Sequence, residues 1–135
     1  MKKIVIIACT LLLQACASSY HPVSRENIVS SPPEVNKVNG VKVTIKRNAS
    51  FIGGGLDGRF YYDDKHIVTL ARGETYSFLA SAGQHKLGVK SFQPIFLAPI
   101  PFYRETNVIF EKGKNYIYLI DSIPSAGLKL LETNE

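Results

Sequence analysis

From residue 41 onward this chain reads as an all-β fold, an antiparallel β-sandwich of about seven strands. Three observations predict it. Apolar and polar residues alternate over short stretches, the pattern of a half-buried strand. Turn residues recur between those stretches at intervals of roughly 8 to 12 residues. No stretch beyond the N-terminus holds a long helical period. Tryptophan is absent and the aromatic 10% is all Phe and Tyr, side chains that suit strands.

The elements follow in order. Val41, Val43 and Ile45 alternate with Lys42, Thr44 and Lys46, which predicts a first strand. "GRFYY" and "KHIVTLA" flank Asp63-Asp64 and read as a hairpin. "ETYSFLA" places Tyr76 and Phe78 on one side. Ala82-Gly83-Gln84 makes a turn, and "HKLGVKS" follows as a strand. "TNVIFEKGKNYIYLIDS" gives strand, Lys112-Gly113-Lys114 turn, strand; "GLKLLET" is either a last strand or a short helix. Residues 16–40 are rich in Ser, Asn and Pro without apolar period, and read as a flexible tether ahead of a domain at 41–135.

The opening is different. Ile4 to Leu13 is an apolar run behind Lys2 and Lys3. As a helix it reaches roughly 15 Å, half of a bilayer core of about 30 Å, so it does not span a membrane. A basic start, a short apolar run and a small-residue exit describe a secretory signal over residues 1–15. Leu13-Gln14-Ala15-Cys16 resembles the lipobox of bacterial lipoproteins, with Gln14 an unusual second residue. The resemblance implies cleavage between Ala15 and Cys16, fatty acylation of Cys16, and a membrane as partner through those acyl chains. Ala17 stands where an aspartate would imply inner-membrane retention, so the implied location is the outer membrane, periplasmic side. Ala15-Cys16-Ala17 also fits an A-x-A site that would release a secreted chain.

Cysteine usage agrees with acylation. Of the two cysteines, Cys9 leaves with the signal and Cys16 stays alone, so the mature chain holds no disulfide. The formal charge is +5. Loss of Lys2 and Lys3 leaves fourteen basic and eleven acidic side chains, scattered along the chain, which argues against a nucleic-acid partner.

"HIVTLARGETY", "ASAGQHKLGV" and "FEKGKNYIYLI" together are similar to a domain-of-unknown-function family common among small bacterial lipoproteins and secreted proteins. That family usually has a proline where Ala82 stands. The resemblance covers about residues 40–133. It implies a transthyretin-like or carboxypeptidase-regulatory-like sandwich without assigned catalytic residues.

Candidate chemistry is sparse. His66 with Asp63 and Asp64 is the nearest polar cluster, but it lacks the ligand number and spacing of a zinc site, so no metal or cofactor is expected. His85 is expected to support the turn at Gly83. Gly53, Gly54, Gly55 and Gly58 are not followed by a helix or by Gly-Lys-Ser/Thr, so they read as a loop or bulge rather than a phosphate cradle. Ser50, Ser77, Ser81 and Ser91 lack a nucleophile context. No enzyme is therefore expected. A hydrolase using His66, Asp63 and Asp64 is one alternative. A peptidoglycan or glycan binder using Tyr61, Tyr62 and Tyr76 is another.

The segment that stands out is "FQPIFLAPIPFY", residues 92–103. Phe92, Ile95, Phe96, Leu97, Ala98, Ile100, Phe102 and Tyr103 are apolar or aromatic. Pro94, Pro99 and Pro101 exclude a regular central strand. The segment reads as a long connection that either covers an open end of the sandwich or docks on a protein partner or membrane. Phe92, Ile95, Phe96, Leu97, Ile100, Phe102 and Tyr103 are the candidate contact residues for an envelope protein partner.

Overall fold

A computed structural model of the protein describes residues 20–49, 58–95, 98–123 and 127–133, with side chains except at 92–95, 98–102 and 123. It is an all-β sandwich of two sheets. In chain order the strands are β1 (His21–Pro22), β2 (Val41–Arg47), β3 (Gly58–Tyr62), β4 (Lys65–Leu70), β5 (Glu74–Ala80), β6 (Gly83–Ile95), β7 (Ala98–Phe110), β8 (Asn115–Ile123) and β9 (Gly127–Thr133). One sheet has the order β1-β5-β2-β8-β9 and the other β4-β3-β6-β7. The last segment, left open between strand and helix, is strand β9.

The predicted alternation sets the core. Val41, Val43 and Ile45 are fully buried in β2 and Lys42 is exposed. Phe60 of β3, Leu70 of β4, Phe78 of β5, Leu87 and Val89 of β6, Phe110 of β7, Ile120 of β8 and Leu128 of β9 meet them between the sheets. The same period carries Arg47 into the buried row, at 1% exposure. Its guanidinium donates to the Ile120 carbonyl at 3.3 Å. Burial lowers its pKa and Asp121 opposes that shift.

The hairpin expected at Asp63-Asp64 is present. Both residues take positive φ, 47° and 67°, and Tyr62 pairs with Lys65, the geometry of a tight two-residue turn. The Lys112-Gly113-Lys114 turn is also found, with Gly113 at φ 82°. Ala82-Gly83 does not close a hairpin. It carries the chain from β5 in one sheet to β6 in the other.

Three expectations need correction. The sandwich is mixed rather than purely antiparallel, because β2 runs parallel to β8 and β1 parallel to β5. Alternation marks which side chains face inward and says nothing about which strand lies alongside.

The second correction concerns residues 16–40. From residue 20 on, this stretch is held against the sandwich rather than free. His21 N–H bonds to the Gly73 carbonyl and Val23 N–H to Thr75, each at 3.0 Å, on the edge of β5. Val29 and Ser30 N–H bond to the Ile67 carbonyl on the edge of β4, and the Ser30 hydroxyl donates to the His66 carbonyl at 2.6 Å. Val23 and Ile28 pack on the core. The segment thus covers two sheet edges whose backbone groups would otherwise stand open. Its lack of a repeating pattern reflects an edge-following path, not freedom.

The third correction concerns residues 92–103. Apart from positions 96 and 97, they are not an irregular connection. β6 and β7 pair continuously from Gly83↔Phe110 to Ile95↔Ala98. β3 accompanies β6 only from Leu87 to Lys90. Beyond Ser91, among the described residues, the two strands pair with each other as a ribbon and with no third strand. The prolines stand in that ribbon, where one edge of each strand needs no partner.

Burial also predicts an alkaline limit to stability. Tyr62 and Tyr118 are 4% and 3% exposed. Burial pushes both phenols up to about 12, aided by Asp63 at Tyr62 and by Glu132 at Tyr118. An unfolded phenol ionises near pH 10. Stability from these two groups is therefore complete below pH 10 and lost as pH rises from 10 towards 12. Urea midpoints should fall across that window, and phenolate absorbance should rise in step with unfolding. Ionisation of all phenols near pH 10 in a folded chain would contradict this.

Candidate functional site

Strand directions sort the molecule into two ends. At one, here called proximal, lie the entry at residue 20, the turn after β4, the start of β3 and the β6–β7 ribbon. At the distal end lie the Asp63-Asp64 turn, the Ser81-Ala82 connection and the Lys112-Gly113 turn.

The proximal end carries the candidate contact residues. Phe92, Ile95, Ile100 and Phe102 occupy ribbon positions, in the pairs Phe92↔Pro101, Gln93↔Ile100, Ile95↔Ala98 and Ser91↔Phe102. Tyr103, at the ribbon's root, is 42% exposed. Its ring lies over Gly88, where a Cβ would come within 2.5 Å of the phenol oxygen, and meets Tyr61 edge-on at 5.6 Å. Gly88 is the small residue that admits this ring. Burial against that surface, and then Glu105, raise the Tyr103 pKa. Phe96 and Leu97 lie outside the described residues, as do Ala15, Cys16 and residues 50–57 with their glycines.

Charge gathers at the ribbon's root. Lys90 sits opposite Arg59 on one side and Tyr103 on the other, and Arg104 sits opposite Val89. No charged residue falls between Lys90 and Arg104 in the sequence. Residues 91–103 are thus an uncharged, largely apolar stretch with Lys90 and Arg104 at its two ends.

The distal end holds the densest polar cluster. His85 Nδ1 is 2.7 Å from Asp63 Oδ2, and His85 Nε2 is 3.1 Å from Ser81 Oγ. These are the separations of a Ser-His-Asp nucleophile constellation. The remaining contacts assign it another role. Nε2 is closer still to the Ser81 carbonyl, at 2.8 Å. A carbonyl only accepts, so this contact is a hydrogen bond when Nε2 carries N–H, and Nε2 then has no lone pair for the Ser81 hydroxyl. The ring stacks on Tyr62 at 4.9 Å and leans on Phe110 at 5.4 Å. Asp63 Oδ1 accepts from Lys86 N–H at 2.8 Å. His85 therefore clasps the β3–β4 turn to the β5–β6 connection, which extends its expected role at Gly83. An open depression of about 500 Å³ beside it is lined by Asp63, Gln84, His85, Lys86 and Asn107 to Ile109.

The cluster read from sequence as His66, Asp63 and Asp64 is not assembled. Asp63 faces His85, and Asp64 pairs with Lys86 at 2.8 Å. His66 stacks on Tyr61 at 5.1 Å and shares a hydrogen bond with Thr69. Burial lowers its pKa, and Arg59 and Lys90 act in the same direction. Among the described residues no three His, Cys, Asp or Glu side chains converge on a metal position. The tyrosines of the glycan reading are also separated. Tyr62 is in the core, Tyr61 stacks beside His66, and Tyr76 packs on Phe78 in the other sheet.

Sequence reasoning missed the His85–Asp63 pair, because the partners are far apart in the chain and meet only when β3 lies beside β6. The shared end of the ribbon and the chain entry was also not legible. Among the described residues no helix is long and apolar enough to cross a membrane. The fold defines the class, a two-sheet β-sandwich. No protein-family model matches the chain, nor does any curated protein or solved structure.

Proposed function

We propose that this protein is a lipid-anchored interaction module of the bacterial envelope. Acyl chains on Cys16 hold it at the outer membrane, facing the periplasm, and the β6–β7 ribbon is its contact element. The observation that carries the reading is the common position of the chain entry and the ribbon at the proximal end. Only residues 17–19 separate Cys16 from Tyr20. The ribbon is thereby kept near the surface to which the chain is attached. The proposal assigns the sandwich a scaffold role: it sets the ribbon's position and direction. The reading gives His85 no catalytic role, which the 2.8 Å contact between its Nε2 and the Ser81 carbonyl supports.

The test is acylation in cells. Labelled palmitate should enter the wild-type chain and fail to enter Cys16→Ser. The wild-type chain should fractionate with outer membranes after cleavage before Cys16. An unlabelled, freely soluble mature chain beginning after Ala17 would refute the anchor.

A further inference from the structure

The two flanks of the sandwich differ. On one, residues 20–30 lie along the edges of β5 and β4. On the other, β7 and β9 are the last strands of their sheets, and among the described residues neither pairs with a further strand. The side chains of β7 show how exposed that flank is. Arg104 and Thr106 belong to the inward row with Val108 and the buried Phe110, yet both are exposed. A covered flank would bury that row. On the outward row Tyr103 and Ile109 are exposed large apolar side chains.

A groove of about 420 Å³ runs between β7 and β9, with Thr106, Val108, Tyr116, Tyr118, Leu130 and Glu132 among its walls. Arg104 and Lys129 share a smaller depression that continues it past Thr106 and Leu130. The flank thus carries cations towards one end, an acid towards the other and apolar surface between.

An exposed edge strand is a template for another strand, and the residues of β7 fit a second copy of β7. In an antiparallel pair made by a two-fold axis, opposed residues share a face, so the axis passes through one residue. An axis at Arg104 or at Glu105 sets that charge against itself, which is unfavourable. An axis at Asn107 sets Tyr103 against Glu111 and Ile109 against Glu105. An axis at Thr106 sets Tyr103 of each copy opposite Ile109 of the other, and covers both exposed apolar side chains. It also sets Glu105 opposite Asn107, whose amide donates to a carboxylate. On the inward row Arg104 falls opposite Val108 of the other copy, on the groove that Glu132 lines.

We propose that the protein forms a two-fold dimer through β7, with Thr106 on the axis and Tyr103 opposite Ile109 of the second copy. The sheets β4-β3-β6-β7 of the two copies become one continuous sheet, and Arg104 of each copy pairs with Glu132 of the other. The contact involves neither the acyl chains nor the β6–β7 ribbon, so it stands or falls apart from the anchored reading.

The experiment uses the full chain in detergent with Cys9→Ser and Cys16→Ser, so that every crosslink reports an introduced thiol. A short bismaleimide should join Tyr103→Cys to Ile109→Cys when the two variants are mixed. Neither should crosslink alone, because like positions then lie six residue steps, roughly 20 Å, apart. Thr106→Cys should crosslink alone. Ile109→Lys should raise the dissociation constant measured by sedimentation at least tenfold, and Glu132→Lys should do the same, with Glu132→Lys partly rescued by Arg104→Glu. Circular dichroism and urea midpoints confirm that each variant is folded. Folded protein that sediments as a monomer and gives no crosslink overturns the proposal. A dimer that crosslinks through Leu131→Cys alone but not through Thr106→Cys also overturns it, since the copies then meet elsewhere. Association through residues 1–19 would be insensitive to Ile109→Lys, and that result likewise refutes the β7 contact.

Discussion

Replacing Phe60 with alanine is expected to lower unfolding free energy by about 3–5 kcal/mol. Phe60 is fully buried in the middle of β3. It pairs in register with Val68 of β4 and Val89 of β6, both buried, so it cannot relax towards solvent through either neighbour. Its ring lies 6.2 Å from Phe78 of the facing sheet. The site is therefore walled by strands on both sides and by the other sheet above. Truncation leaves a cavity that those walls fill only in part. Against a domain stability of about 5–15 kcal/mol, such a loss shifts the urea midpoint by a large fraction. Ile109 is the control. It is 64% exposed on the same sheet, and Ile109→Ala should change stability by no more than about 0.5 kcal/mol. Equal effects at the two positions would mean that the sheets do not pack as described.

The second large effect is expected at the distal end. His85→Ala should cost about 2–3 kcal/mol, from lost ring packing and lost hydrogen bonds. The ring bridges Asp63 and the Ser81 carbonyl and fills the space between Tyr62 and Phe110. A cycle with Asp63→Asn should show coupling of about 1 kcal/mol or more. Ser81→Ala separates the clasp from a nucleophile. The carbonyl that holds Nε2 belongs to the backbone and survives the substitution, so stability should change little. If instead Ser81→Ala abolished a hydrolytic activity of the purified protein, the clasp reading would fail. The clasp lies at the opposite end from the chain entry, so these variants should leave membrane attachment intact.

The two ends of the molecule differ in how they could be read. The ribbon's composition was legible: an uncharged run with three prolines between Lys90 and Arg104 stands out in any reading. Its geometry was not, because proline argues against strands in general. It does not exclude a ribbon that, among the described residues, has no third strand beside it. The reverse holds for His85. Its role at the turn was legible from Gly83. Its partner Asp63 was assigned to the hairpin tip, next to His66. Asp63 sits in the turn and faces His85, whereas His66 sits on β4 beside Tyr61, so the two part company as soon as the hairpin forms.

The sequence by itself determined the class of fold. Val41, Val43 and Ile45 against Lys42 specify an inward row, and Asp63-Asp64 and Lys112-Gly113 specify tight turns; both signals act over a few residues. Arg47 shows the limit of the same signal, since the period buries a cation that composition would place outside. Tertiary structure decided the rest. It set β2 beside β8 in parallel, laid residues 20–30 along two open edges, and left the β6–β7 ribbon to outrun β3. These outcomes depend on pairing between strands far apart in the chain. Such pairings form wherever backbone N–H and C=O groups would otherwise lie unpaired, and side-chain alternation carries no record of them.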